Sequence, residues 1–514
     1  MNARKSPILA PDGSHIVVVN SGGSYESAGN GPRSRTWNAN SAGPNTAIQG
    51  SLNNLRNRSR AGHRNNPLIY SAIEKNVANE IGIGISLRSG CDDDQVSKEI
   101  DALWKETCKE IDPEGVLDFN GLQAQACRTR RLAGEVFIRR RYRRASADLT
   151  VPMQVQVLEP EFVPHDLNRT RKNGNRIVHG IEFNKRGQRV AYWMHREHPG
   201  ESSSGNFVLG KLLRIPARDV IHHFSPTRAG QVRGVPGVAQ GLLQAHVFEK
   251  YNHSELVRKE TRAPFTGVVT RDDFDLEDDA RYCPLTGKPL DGGIDDATTT
   301  ATPGQFLVTD PGENVKLFDG DVTGGGYSDF MTWQSRITAI ASDLPYELLT
   351  GDWSKVNDRL VRAILNEYRR AIEMCQNHLM IFQMCRGVWH WFIDAAVMSG
   401  ALMLVDYQQN RKQYRKLEAQ PHAWKYINPD QDLNAKMKEQ KLGLSSVVRQ
   451  NAERGTDAYK VLEETEEWLK RAVATLKAAG VDKLSLFDGV DEDMTDDLDD
   501  NTPPSQNPNK DQAR

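Results

Sequence analysis

The sequence predicts an α+β chain, with long amphipathic helices in the second half and a strand-bearing module in the first. Three observations predict it. Apolar residues recur at helical spacing over 67–81, 237–262 and 357–399. Short β-prone runs separated by turn residues occupy 135–195. The 514 residues, 38% hydrophobic, suffice for two to four folding units.

Element by element, residues 1–65 are rich in Ser, Gly and Asn, with Arg33, Arg35, Arg56, Arg58, Arg60 and Arg64 among few acids, and are expected to form a disordered basic arm. Order is expected to begin at Asn66-Pro67, an N-cap followed by proline at the first helical position. Ile69, Ile73, Val77 and Ile81 then repeat every four residues, and Gly82 ends the helix. Helices are expected at 96–111 and from 119. Strands are expected at 135–142, 154–159, 177–184 and 191–195, with turns at Gly174-Asn175 and Arg186-Gly187. A long helix from 237 to 262 precedes a Thr-, Gly-, Asp- and Pro-rich excursion with short strands at 266–270, 305–309 and 314–318. Helix resumes at 327–341 and stops at Leu344-Pro345. After a turn at 350–354, one helix is expected from 357 to 399. Helices at 431–440 and 457–477 follow, the second capped by Thr456, and an acidic tail closes the chain. No internal repeat is visible.

The 66 basic and 68 acidic residues leave a net charge of −2, which excludes a globally basic nucleic-acid coat. DNA contact must be local. The six cysteines form no C-x-x-C pair, so neither a zinc site nor a disulfide scaffold is indicated, and they are expected to be reduced. The apolar run 16–19 is too short for a signal segment. The most apolar stretch, 378–405, contains Arg386, His390 and Asp394, which points to a buried helix rather than a membrane span. A soluble intracellular protein is expected.

Enzyme motifs fail on inspection. Gly205 to Lys211 has the phosphate-loop spacing, but Leu212 stands where the magnesium-binding hydroxyl belongs, and strands lie on both sides. Asp92-Asp93-Asp94 is better explained by a helix N-terminus than by a metal cluster. Asp272–Asp279 is better explained as a solvated acidic run, and His222-His223 as the end of a strand at the core edge. No catalytic, cofactor or metal site is expected, and the chain reads as a non-enzyme. Two basic features remain. Arg128, Arg130, Arg131, Arg139, Arg141 and Arg143 are the densest cluster, suited either to phosphate or to salt bridges with neighbouring subunits. Lys355, Arg359, Arg362 and Arg369 fall on one side of a helix opposite Val361, Ile364, Leu365 and Tyr368.

Four strings, in order, carry a resemblance. They are Arg64-Asn65-Asn66-Pro67 with Ile81-Gly82-Ile83-Gly84-Ile85; Gln231-Val232-Arg233-Gly234-Val235-Pro236-Gly237; Pro311-Gly312-Glu313 with Leu344 to Asp352 and Asn357; and Trp424 to Pro429 with Gly443-Leu444-Ser445-Ser446 and Glu453 to Asp457. With two long helices around a small β-rich excursion, they resemble the lambda-type family of tailed-phage portal proteins over about 55–470. The turn departs from the family pattern in carrying Trp353, Lys355 and Arg359.

The resemblance implies an α/β wing (66–234 with a long helix at 359–400) and a stem (235–263 and 326–349). It further implies a clip (264–325), a tunnel loop (350–358) and C-terminal wing or crown helices (401–480), with a tail at 481–514. It implies a ring, usually of twelve subunits, at one capsid vertex, through which a separate terminase motor moves duplex DNA. The terminase large subunit, head-completion or tail-connector proteins, and capsid and scaffold proteins are then the partners, with no membrane and no cofactor. Trp353, Lys355, Asn357, Arg359 and Arg362 become candidates to line the DNA channel. The competing expectations are a monomeric DNA-binding adaptor and a terminase-like ATPase or nuclease.

Overall fold

The computed structural model describes residues 41–144, 148–201, 212–262, 267–271, 285–286, 313–317, 327–424, 429–454, 456 and 458–478. Order begins earlier than expected. Helices α1 (Pro44–Gln49) and α2 (Leu52–Asn65) precede Asn66, so 44–65 is not a disordered arm. The reason lies in the arginines that made the segment look solvated. Arg56 is buried against the distant Glu135, and Arg60 reaches Glu161 (2.7 and 2.9 Å).

Helix α3 (Pro67–Ile81) starts as expected, with Asn66 Oδ1 accepting the Leu68 and Ile69 N–H groups at 3.1 Å. After β1 (Ser86–Ser89), Asp93 caps α4 (Asp94–Glu110) by accepting from Gln95 and Val96, so the aspartate triplet acts as a helix start. Helix α5 (Phe119–Ala133) then leads through Gly134 into β2 (Glu135–Tyr142), which is followed by β3 (Met153–Leu158).

A meander follows: β4 (Arg169–Thr170), β5 (Arg176–Val178), β6 (Ile181–Phe183), β7 (Arg189–Met194) and β8 (Leu213–Pro216), hydrogen-bonded in chain order. The single strand expected at 177–184 is two strands, because His179 and Gly180 both adopt positive φ and reverse the chain. Strand β9 (Val220–Phe224) returns to the first sheet, ordered β3-β2-β9. His222 and His223 therefore lie within a strand in the core rather than at its margin.

Strand β2 is sandwiched by two cores, which explains its burial on both faces. Val136 and Ile138 join a helical core with Ile73, Ile81, Trp104 and Phe119, while Phe137 joins a second core with Tyr192 and Ile215 of the meander. Gly134 and Gly234 allow the 233–235 segment to lie backbone to backbone on the start of β2. A Cβ on Gly234 would stand 2.1 Å from the Gly134 carbonyl oxygen.

Helix α6 (Leu242–Arg262) begins five residues later than expected. Strands β10 (Gly267–Arg271) and β11 (Glu313–Leu317) pair antiparallel, as two of the three strands expected in the excursion; 305–309 lies outside the described residues. So do 205–211, 272–279 and the acidic tail. Helix α7 (Tyr327–Ala341) packs along α6, with the Tyr251 and Phe330 rings 4.8 Å apart and Tyr327 Oη donating to Asn252 at 2.8 Å.

After α8 (Tyr346–Thr350), the long expected helix has three parts. Helix α9 (Asp358–Cys375) runs into a π-helical stretch, Gln376–Cys385, and then α10 (Arg386–Ser399). Met380, Met384, Trp389, Phe392 and Ile393 bury into the helical core. The apolar stretch is thus an internal helix, and among the described residues no helix is long and apolar enough to cross a membrane. Helix α11 (Tyr407–Tyr414) and β12 (Leu417–Gln420) occupy what looked like a polar connection; β12 pairs with β1. Helices α12 (Pro429–Lys441), α13 (Val447–Glu453) and α14 (Ala458–Ala478) complete the described chain.

Candidate functional site

The turn between α8 and α9 is built from side chains that the sequence places within twelve residues. Gly351, at φ +76°, ends α8, and its N–H donates to Glu347 O at 2.8 Å. Asp352 then organises the loop. It accepts the Ser354 hydroxyl at 2.6 Å, the Ser354 N–H at 3.1 Å and the Tyr346 hydroxyl at 3.2 Å. The Ser354 hydroxyl is the main reason its carboxyl sits below the usual range. Asn357 Oδ1 caps α9 by accepting from Leu360 N at 2.9 Å. At the rear, Ser71 Oγ donates to Leu349 O at 2.8 Å, which ties the turn's base to α3. The base is fixed and the tip is exposed.

Trp353, Lys355, Asn357 and Arg359 all present exposed side chains on this loop and the first turn of α9. Among the described residues neither Lys355 nor Arg359 forms an ion pair. Arg362 differs: it is half-buried, with Nε 3.6 Å from Asp358. The opposite side of α9 faces the body as expected, with Tyr368 buried and its hydroxyl donating to Asn76 Oδ1 at 3.1 Å. Asp352 and Tyr346, which shape the loop, were visible only as part of a matching string and not as a chemical group.

The arginine cluster divides in two. Arg128 forks onto Glu74 at 2.7 and 2.8 Å. Arg130 and Arg131 both bind the fully buried Glu80, at 2.6–3.0 Å. Burial alone would raise the Glu80 carboxyl, but the two guanidiniums override it and hold it at about 2. These three arginines brace α5 against α3. Arg139 and Arg141 lie on one face of β2 and Arg143 just past its end; Arg141 Nε donates to Gln156 Oε1 (2.8 Å) and Arg143 Nε to Gln154 Oε1 (2.6 Å).

Sequence reasoning missed the strongest electrostatic centre. Buried Glu135 accepts from Arg56, from Arg233 Nε at 2.6 Å, and from Gly234 N and His222 Nε2, both at 2.8 Å. Burial would raise this carboxyl, and the Arg233 and Arg56 charges bring it well below its ordinary value. Arg233 continues to the carbonyls of Val163, His179 and Pro160, so it links the two sheets. Glu159, Glu161 and His198 also converge, but Arg60 donates to both carboxylates and makes this an ion-pair cluster.

A family model described as "phage portal protein, lambda family" matches residues 30–376. A probable portal protein of Halomonas phage phiHAP-1 is 24% identical over 330 residues, covering 62% of this chain; the match spans 60% of that protein's length. The portal protein of Escherichia phage N15 is 22% identical over 420 residues, covering 76% of this chain and 78% of that protein. Among solved structures, a chain from the neck of a native gene transfer agent particle, treated with C12 symmetry, is similar at TM-score 0.46 and 13% identity. That match covers 80% of this chain and 93% of the other. A chain from the neck of the empty particle, treated with C6 symmetry, reaches TM-score 0.47 at 14% identity, covering 79% and 94%.

Proposed function

The chain belongs to the lambda family of phage portal proteins, and from that membership we propose that its copies close into a ring at one capsid vertex, the passage through which genome DNA enters and leaves. The ring assembles in the host cytoplasm and stays in the virion. It is a passive conduit, and the fuel for DNA movement comes from a separate terminase.

One observation supports lateral assembly above the rest. The paired helices α6 and α7 bury one face of each helix and leave a second apolar face open. On α6 this face carries Leu243 and Val247; on α7 it carries Trp333 and Ile340, exposed by 61% and 77%. A helix with two apolar faces belongs between neighbours. Side-by-side packing of identical stems would cover both, and a rotation that returns to its start gives a closed ring.

Within that ring the 350–358 loop lines the bore. Lys355 and Arg359, repeated in each subunit, place a narrow belt of positive charge there. A belt contacts backbone phosphates without reading sequence, and its narrowness limits the counterion release that would otherwise stall a sliding duplex. The β10–β11 excursion then forms the clip that meets the terminase during packaging and the head-completion or tail-connector proteins afterwards. The wing meets the capsid.

The decisive experiment is light scattering with negative-stain imaging of the purified chain. A twelve-membered ring of 57.6 kDa copies gives about 690 kDa and a central hole. A species that remains at 57.6 kDa under assembly conditions favours a monomeric adaptor, and ATP hydrolysis by the purified chain overturns the passive reading. Lys355→Ala should alter DNA packaging; normal packaging together with a ring that has 350–358 on its outer rim would remove the loop from the channel.

A further inference from the structure

We propose that the arginine face of β2 is the docking site for the acidic segment 488–500 of this same chain. The face is built for a carboxylate-rich strand. Arg139, Arg141 and Arg143 stand two residues apart, and so about 7 Å from one to the next. Arg141, half-buried, and Arg143, exposed, are held through Nε by glutamine oxygens, which fixes each guanidinium. None of the three forms an ion pair with a carboxylate among the described residues. They instead disfavour each other: Arg139 and Arg141 are lowered first by burial and then by the next arginine along the strand. Arg144, also exposed, follows directly in the chain. Asp219, whose charge acts in the opposite sense on Arg139, is itself bonded to Arg140.

The complementary charge is in the chain itself. Residues 481–514 hold ten acids against three bases, eight of those acids being Asp488, Asp491, Asp493, Asp496, Asp497, Asp499, Asp500 and Glu492 within the short stretch 488–500 apart from Asp482 and Asp511. The remaining 480 residues therefore carry a net positive charge. Asp491 and Asp493, like Asp497 and Asp499, repeat at the two-residue spacing of the arginines.

The reach is sufficient. Helix α14 is anchored near its start, where Gln420 Nε2 donates to Thr456 O at 3.1 Å and Lys98 lies 3.8 Å from Glu463. Lys98 is on α4, whose other end meets the arginine face: Gln154, the partner of Arg143, donates to Glu110 O at 3.0 Å. Along α4 that interval is about 18 Å, α14 beyond Glu463 is about 22 Å long, and the separation of the two helix axes adds about 10 Å, so α14 ends about 50 Å from the face at the farthest. The twenty-two residues from Ala478 to Asp500 can span about 70 Å. The segment reaches the face whichever way α14 runs. Once docked, it withholds three arginines from phosphate, so the wing does not grip passing DNA.

Zero-length carbodiimide crosslinking of the full chain carrying Arg139→Lys, Arg141→Lys and Arg143→Lys, mapped by mass spectrometry, tests the proposal. Crosslinks from the substituted positions to 488–500 should exceed those from the exposed Lys172 and Lys185 at least tenfold, and should fall to their level at 0.5 M salt. Equal yields overturn it. In the unsubstituted chain, phenylglyoxal should modify Arg141 and Arg143 several-fold more slowly than in a variant with Asp491→Asn, Glu492→Gln, Asp493→Asn, Asp496→Asn and Asp497→Asn. Equal rates overturn it too. Protection that arises only when a DNA duplex is added makes the face a phosphate site, which also overturns it.

Discussion

At Glu135 the carboxylate is closed off from water and balanced by two guanidiniums drawn from positions 56 and 233. Removing its charge leaves both cations buried without a counter-ion, so Glu135→Gln should cost about 3–5 kcal/mol in urea unfolding. The neighbouring imidazoles act in the opposite sense. Burial lowers His222 to about 4 and His223 to about 3, so both stay neutral in the fold while an unfolded histidine takes up a proton near pH 6.5. Stability is therefore complete above pH 6.5 and falls as pH drops below it, by about 1.4 kcal/mol per unit for each such residue. Between pH 6 and 4.5 the unfolding free energy of His223→Gln should fall less steeply than that of the parent by about that amount; parallel curves would show that His223 titrates normally. None of this was legible locally. The string from Gln231 to Gly237 stood out as a pattern, but its cause is a partner about a hundred residues away, where Gly234 lies on Gly134 and Arg233 meets Glu135. Arginine content made 44–65 look solvated for the same reason.

Among the elements, those whose ends are written in local chemistry were legible: Asn66-Pro67 opening α3, Asp93 opening α4 and Asn357 opening α9. The strand Glu135–Tyr142 was legible from its β-prone run. What periodicity could not show is the change of helical pitch at Gln376–Cys385, because ten apolar-rich residues satisfy either spacing. Tertiary hydrogen bonds hold that stretch. Gln376 Nε2 donates to Glu80 O at 2.8 Å. Gln383 serves β9 twice, accepting from Phe224 N and donating to Phe224 O, both at 3.1 Å. Gln383→Leu leaves these backbone groups and His223 Nδ1 without their partner, and should destabilise the chain by about 1–3 kcal/mol in denaturant unfolding. An unchanged midpoint would mean that the π-helical stretch stands without that link. The tunnel-loop candidates were legible as exposed charge on a short turn, whereas the Asp352 scaffold that shapes the turn emerged only from the geometry.

For the molecule as a whole, the uncovered faces of α6 and α7 separate a subunit's own stability from its assembly. Ala245 and Phe248 on the inner side of α6 are buried within one copy, while Val247 and Trp333 face outward. A charge placed on the outer face therefore leaves the monomer's core intact and must be desolvated only when a neighbour packs against it. Val247→Lys with Trp333→Lys should keep the parent's helical circular dichroism and urea midpoint within about 0.5 kcal/mol, as exposed substitutions do. The same variant should lose the proposed ring, because unpaired charges buried at each α6–α7 contact between copies cost several kcal/mol and the cost recurs at every such contact. Light scattering should then find the 57.6 kDa species under conditions in which the parent assembles. A ring of unchanged mass would remove the stem from the subunit contact and leave the wing to carry it.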